Sequence, residues 1–341
     1  MVVLGACAAW SLITAAAGDG RPEGVLLAVL AVSAGYASGR IFGVLLPVAA
    51  PCAAALAGLA LTVALPRLAP GPEIAAPPGR AGATAAVLTL SAGAACCAAW
   101  AARGPVLRFA LGVLAGGVAV AGAALGSTTA VVACCGVLLC SLAAGRVRQR
   151  GAGLAALALA AAAVTGLTWA TAGNAVPGGL AASLEDRLTA HRVGLWRDAL
   201  RLAGDDIVLG IGPGRFGELS ATAASRSAPS DGKPHSAPLQ MAAEQGAVGV
   251  LLLVAAFCWV LFALWRAPRP TPVVLTAGAA LTALAAVAAV GNALSFTTVP
   301  VGAGLLAGLA TARPLAVEPA AAEVPARFER GLRPRDDRPA A

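Results

Sequence analysis

Charge is scarce in this chain of 341 residues: 12% is charged and 59% is hydrophobic. An ordinary soluble domain is about a quarter charged, so composition alone excludes a water-soluble globular fold. Side chains suited to acid–base chemistry are scarcer still. There are two histidines, His191 and His235, and one lysine, Lys233, so arginine supplies nearly all of the positive charge. Cysteine is present but misplaced for a disulfide framework or a metal cluster. Cys7, Cys52, Cys96, Cys97, Cys134, Cys135, Cys140 and Cys258 all lie within apolar runs, where a thiol behaves as a small hydrophobe. The net charge of +8 does not point to nucleic acid. A nucleic-acid protein clusters its cations on a soluble face, whereas these arginines fall mainly at the ends of apolar runs. The first run, 2–17, lacks a basic leader and reads as a span rather than a cleavable signal peptide.

What the chain does have is a succession of apolar runs near 20 residues, the length that crosses a bilayer as a helix. The runs are continuous rather than alternating, and lipid requires each backbone polar group to be satisfied internally, so helices are favoured over barrel strands. Ten spans are predicted, at 2–17, 24–38, 41–65, 83–102, 106–125, 128–144, 153–172, 246–265, 273–291 and 297–312. The fold class is therefore an all-α polytopic membrane protein with about ten transmembrane helices and one long extracytoplasmic loop. Many of the spans are rich in Ala and Gly, which predicts a tightly packed bundle.

Arginine bias sets the orientation. Arg146, Arg148 and Arg150 follow the sixth span, Arg266 and Arg269 follow the eighth, and six arginines lie in the tail after Ala312. By parity these share one side, which the positive-inside rule makes cytoplasmic, with Arg40 and Arg103. Both termini are then cytoplasmic, and 18–23, 66–82 and 173–245 lie outside. The domains read as an N-terminal bundle over 1–172 (about seven spans), the loop 173–245, the C-terminal spans 246–312, and an Arg/Pro/Ala-rich tail, 313–341, predicted to be disordered.

The stretch 173–249 holds both histidines, the lysine and eight of the sixteen acidic residues. Residues 183–203 have the spacing of an amphipathic helix, capped by Ser183, with Leu184, Leu188, Leu195, Ala199 and Leu202 on one face. Arg192 and Trp196, four apart, form another patch, and such a helix can lie at a membrane surface. The turn at 205–216 contains Gly210, Gly212 and Gly214, and reads either as a plain turn or as a backbone nest for an anion. Residues 218–233 are Ser/Ala-rich and predicted to be a mobile connection. His235 precedes a helix start, with Pro238 in the first turn and Gln240 and Glu244 following.

At these residues the sequence resembles the O-antigen ligase family, whose domain is shared with related polysaccharide polymerases. That family shows a His followed by Asn, Ser or Gln, nine residues, then Gly-x-x-Gly. Here His235 and Ser236 precede 237–245, Gly246 and Gly249. Leu239, Gln240 and Glu244 also match, as do Arg192, Trp196, Gly210, Gly212 and Phe216 upstream. The match covers about 190–255 and would make 173–312 an O-antigen ligase-like domain. The chain departs from the family in having fewer spans than is usual, in Ser236 where Asn is commoner, and in Arg215 at a position often held by Asn. Arg226 is the rival of Arg215 for the family's second functional arginine.

The resemblance implies a glycosyltransferase of the bacterial cytoplasmic membrane. It would move a glycan from a polyprenyl-pyrophosphate carrier to an acceptor glycan or lipid, as ligase or polymerase in cell-surface polysaccharide assembly. No cofactor, metal or nucleic acid enters that reaction. Histidine titrates near neutral pH, which suits His235 as general base toward the acceptor hydroxyl. Guanidinium groups bind phosphate oxygens bidentately, which suits Arg192, Arg215 and Arg226 to the pyrophosphate. Glu244 would orient His235 or an arginine, with Ser236 and Trp196 in support. The alternatives are a polysaccharide or lipid flippase, a secondary transporter, or a catalytically inactive membrane scaffold.

Overall fold

The computed structural model describes residues 2–68, 80–175, 190–224 and 232–313. Residues 183–189 of the expected amphipathic helix, Arg226, and the tail from 314 onward lie outside the described residues. Among the described residues every regular element is helical. In order these are α1 (Val2–Gly18), α2 (Glu23–Leu45), α3 (Ala49–Leu68), α4 (Arg80–Ala101), α5 (Pro105–Ala124), α6 (Thr128–Ala144) and α7 (Arg150–Ala172). Then come α8 (Ala190–Asp205), the short α9 (Phe216–Leu219) and α10 (Ala221–Ala224), α11 (Ala237–Trp265), α12 (Thr271–Val290), a 3-10 turn (Ala293–Ser295) and α13 (Thr298–Thr311).

Among the described residues six helices are long and apolar enough to cross a membrane: α2, α4, α5, α7, α11 and α12. The shorter apolar helices α1, α3, α6 and α13 coincide with the other expected runs. The chain is a multi-pass membrane protein. α4 and α12 are its inner helices, with Ala85, Leu88, Ala95, Val274, Ala277 and Ala280 buried. The outer helices leave Leu30, Phe109, Leu139, Leu159 and Leu251 exposed on the bundle surface, as a lipid-facing helix should.

The break between the second and third helices falls later than the sequence pattern suggested. α2 runs through Gly39 and Arg40 to Leu45, and the chain turns at Pro47, which has no amide for a continuing helix. Gly39 is not a helix end. It lies where α2 crosses α13, and a β-carbon there would meet the Leu305 carbonyl oxygen, as one on Gly308 would meet that of Tyr36. Without a hydrophobic driving force between helices in lipid, such close backbone approach supplies the contact energy.

Arginines close one end of the bundle. Arg150 donates through Nη1 to the carbonyl of Ala267 at 2.7 Å and through Nη2 to that of Arg269 at 2.8 Å, just beyond the C-terminus of α11. Arg269, itself buried, donates to the carbonyls of Ala312 and Gly43, beyond α13 and near the end of α2. Helix C-termini carry orphan carbonyls and partial negative charge, so these residues cap helices as well as marking a side.

Candidate functional site

The opposite end is organised by a break in α11. Gly246 has φ 62° and ψ −164°, a conformation open essentially only to glycine. It divides the helix into a short first segment, 237–245, and a long apolar one. A β-carbon on Gly246 would collide with the carbonyl oxygen of Val208. The glycine therefore does two things: it bends the chain and admits the 206–214 turn against it.

A bend strands backbone groups, and each one buried without a partner costs about 1–3 kcal/mol. Here the turn supplies the partners. The Ile211 amide donates to the Ala243 carbonyl at 2.9 Å, and that of Gly212 to Glu244 at 3.1 Å. The Ala247 amide donates in return to the Ile207 carbonyl at 2.8 Å, and the Trp10 indole of α1 donates to Gln245 at 3.0 Å. The Asp206 carboxylate accepts from the Val208 and Leu209 amides, fixing the turn from within. The amides of Gly210, Ile211 and Gly212 are thus already bonded to carbonyls, so this part of the turn is a structural dock.

α8 lies across this dock. Leu195, Ala199 and Leu202 are buried together against Phe216, Leu239 and Ala243. That apolar face is covered by protein rather than lying on a membrane surface. Trp196 joins the same core at 1% exposure instead of forming a patch with Arg192, and its indole nitrogen has no partner among the described residues. The first part of the expected mobile connection is ordered as α9 and α10. Its anchor is Asp198, whose carboxylate accepts from the Ser220 hydroxyl at 2.7 Å and the Thr222 amide at 2.9 Å. Burial works to raise the Asp198 carboxyl, but these hydrogen bonds outweigh it and hold the group below its ordinary value. Asp198 carried only a weak signal in the sequence: an acid on the helix, with serine and threonine following the turn.

The candidate catalytic residues sit around the start of α11. His235 is half-buried with φ 52°, the left-handed region, which costs a non-glycine residue about 1–3 kcal/mol. Ser236 follows in extended conformation at the N-cap, buried, with its hydroxyl unpartnered among the described residues. Arg192 is half-buried on α8, the helix packed against α11, with no ion-pair or hydrogen-bond partner among the described residues. Burial alone lowers its pKa, since no carboxylate compensates for the lost hydration.

Arg215 is engaged differently. Its Nη1 donates to the Gly18 carbonyl at 2.7 Å, and its Nε stands 3.9 Å from the Glu218 carboxylate, tying the turn to the end of α1. Glu244 is buried, at 3% exposure. Gln240 donates to it at 3.3 Å, and the backbone of Gly214 and Phe216 also hydrogen-bonds its carboxylate. It holds the turn to the helix. Gly249 serves the bend too: a β-carbon there would crowd the Gln245 side chain.

A cavity of about 450 Å³ lies between α1, α2, the first part of α11 and the start of α13. Arg21, Glu23, Lys233, Gln240 and Glu244 stand among its lining residues, and the rest of its wall is largely apolar. Lys233 offered a signal, being the only lysine and two residues from His235; Arg21 offered none beyond its place in the short α1–α2 turn.

The O-Antigen ligase family model matches residues 110–254, from α5 through α8, the turn and the bend of α11. No curated protein and no solved structure matches the chain. The matched stretch, under half of the chain, contains Arg192, His235, Gly246 and Gly249 in the order and spacing described, so the chain carries an O-antigen ligase domain over these residues.

Proposed function

We propose that the protein is a membrane glycosyltransferase of the O-antigen ligase type. It transfers a glycan from a polyprenyl-pyrophosphate carrier to an acceptor hydroxyl in cell-surface polysaccharide assembly. The O-antigen ligase domain supports a membrane enzyme of polysaccharide assembly. The observation that carries the finer reading is the pairing of elements around the bend: His235 at the start of α11, and Arg192, a half-buried cation without an acid partner among the described residues, on the helix packed against it.

In the proposed reaction the acceptor oxygen attacks the anomeric carbon of the lipid-linked glycan. The bond from that carbon to the pyrophosphate oxygen breaks, and polyprenyl pyrophosphate leaves with the bonding pair. His235 takes the acceptor proton. Arg192 stabilises charge developing on the leaving group, which is why a guanidinium in a partly desolvated place is effective. This cationic stabilisation is assigned to arginine, and no metal is assigned to the step. Arg215, with Nη1 committed to Gly18, retains other N–H groups and is second choice; Arg226 is third. Glu244 and Ser236 support the start of α11, and Trp196 supports α8. The ten apolar helices all cross the membrane in this reading, with both termini cytoplasmic and the α8–α11 region outside. That side agrees with the capped arginine end being the inner one.

The test is surface polymer in cells carrying His235→Ala or Arg192→Ala. Loss of polymer with protein level and membrane insertion unchanged supports the transferase. Unchanged polymer with a shifted distribution of lipid-linked precursor across the membrane supports a flippase instead. No change in either supports a scaffold.

A further inference from the structure

We infer that Ile207 and Val208, at the tip of the turn seated against the bend, insert into the bilayer leaflet at the Gly246 end of α11 and anchor α8 to the membrane surface. The anchor stands whether or not the protein transfers glycans.

A single exposed aliphatic side chain is ordinary; two neighbours placed in line with a lipid-facing surface mark a contact. Among the described residues Ile207 is 66% exposed and Val208 56%. On α11, Ala247, Leu251, Val254, Cys258, Phe262 and Trp265 are exposed, at helical intervals of three and four residues, and so form one stripe. α11 is long and apolar enough to cross a membrane, so the stripe faces acyl chains. It begins at Ala247, whose amide donates to the Ile207 carbonyl at 2.8 Å. Ile207 therefore carries the stripe from the helix onto the turn. Val208 stands beside Gly246, its carbonyl where a β-carbon of that glycine would lie.

The backbone of the turn is built for the same place. Irregular backbone can enter an apolar phase only where protein satisfies its polar groups. From Val208 to Gly212 each amide has a protein acceptor. Those of Val208 and Leu209 donate to the Asp206 carboxylate at 3.0 Å, and that of Gly210 donates to the Asp206 carbonyl at 3.0 Å. Those of Ile211 and Gly212 donate to the carbonyls of Ala243 and Glu244. In water a turn can leave such amides to solvent; at an acyl boundary it cannot. The carboxylates of Asp205 and Asp206 set the depth. Both residues are exposed, and a carboxylate is costly to bury, so only the tip enters while they stay among the headgroups.

The size of the patch selects lipid as the occupant. Two side chains fall far short of the ~800 Å² per partner of a stable protein interface, whereas an interfacial anchor needs only a shallow apolar insertion continuous with the lipid-facing stripe. The apolar face of α8 is already covered by Phe216, Leu239 and Ala243, so membrane contact in this region falls to the turn that follows it. α8 ends at Asp205, two residues before Ile207. Holding the tip in the leaflet fixes the height of α8, and of Arg192 on it, above the bilayer.

The experiment reconstitutes the full chain in nanodiscs of phosphatidylethanolamine and phosphatidylglycerol, with Ile207 or Leu251 replaced by photoreactive benzoylphenylalanine. After irradiation, intact mass is expected to show a phospholipid adduct at both positions. Position 207 without a lipid adduct, or bridged to a second copy or to another part of the same chain, overturns the inference. Hydrogen exchange then compares wild type with Ile207→Ser/Val208→Ser in the same nanodiscs. Both side chains are exposed, so a turn that merely packs on protein would exchange at the wild-type rate. The anchor predicts that the amides of 208–212 exchange at least tenfold faster in the variant, with 251–262 of α11 unchanged. Equal rates overturn it. If the variant does not fold, the crosslink at position 207 decides alone.

Discussion

The two ends of the helical bundle use the same kind of residue for opposite purposes. At one end Arg150 and Arg269 are bonded to backbone carbonyls at helix C-termini, and their charge is spent on structure. At the other end Arg192 and Arg21 stand without an ion-pair partner among the described residues, and Lys233 acts electrostatically on the Glu244 carboxylate, beside a helix bent at Gly246 and a cavity. A cation whose donors are used up holds the fold; one whose donors remain open is available to an anionic substrate. Arg215 falls between, with one N–H on the Gly18 carbonyl and the rest of its fork less committed.

The sharpest way to break this contrast is at the open end. His235→Ala is expected to lower glycan transfer by about 10²–10⁴-fold, the usual worth of a general base, with the melting temperature unchanged. Arg192→Ala is expected to behave likewise. A fall in thermal stability without a fall in rate at equal folded protein would place both residues with the structural arginines. Next in size is the bend. Gly246→Ala puts a β-carbon against the Val208 carbonyl and forces alanine into a glycine-only conformation, so destabilisation of about 3 kcal/mol or more is expected in denaturation.

At the closed end, Arg269→Ala leaves the Gly43 and Ala312 carbonyls without their donor. A loss of about 1–3 kcal/mol is expected in the same measurement, with KM for the lipid donor unchanged. A raised KM with normal stability would erase the distinction between the ends. The smallest effect concerns Asp198. Its folded pKa is depressed, so its stabilisation is present above the unfolded value of about 3.9 and lost as pH falls through the lower folded value. Asp198→Asn should flatten that acid limb in a thermal-shift series and leave stability at neutral pH only slightly lower. An unchanged acid limb would mean that the Ser220 and Thr222 bonds contribute little.

Much of the bundle was legible because a bilayer demands long apolar runs and because arginines mark one side. Leu195, Ala199 and Leu202 announced their shared face by spacing alone, and the structure buries them together. The second helix was misplaced at its end because Gly39 serves as both breaker and packing residue, and spacing cannot distinguish the two. Gly246 and Gly249 were visible as a motif, but a dihedral angle is not written in a spacing. The bend therefore emerged only with the turn that satisfies it. Trp196 packs in the same core as Leu195 and Ala199, because Phe216 returns to cover it, which a helical wheel does not reveal. The cavity was invisible for a related reason: Arg21 and Lys233 are separated by most of the chain and meet only in the fold.

The most direct measurement incubates the purified protein with a lipid-linked oligosaccharide and candidate acceptors and follows release of polyprenyl pyrophosphate. The account predicts acceptor-dependent release by wild type and none by His235→Ala. Absence of release with every acceptor, or equal release by both proteins, would contradict it.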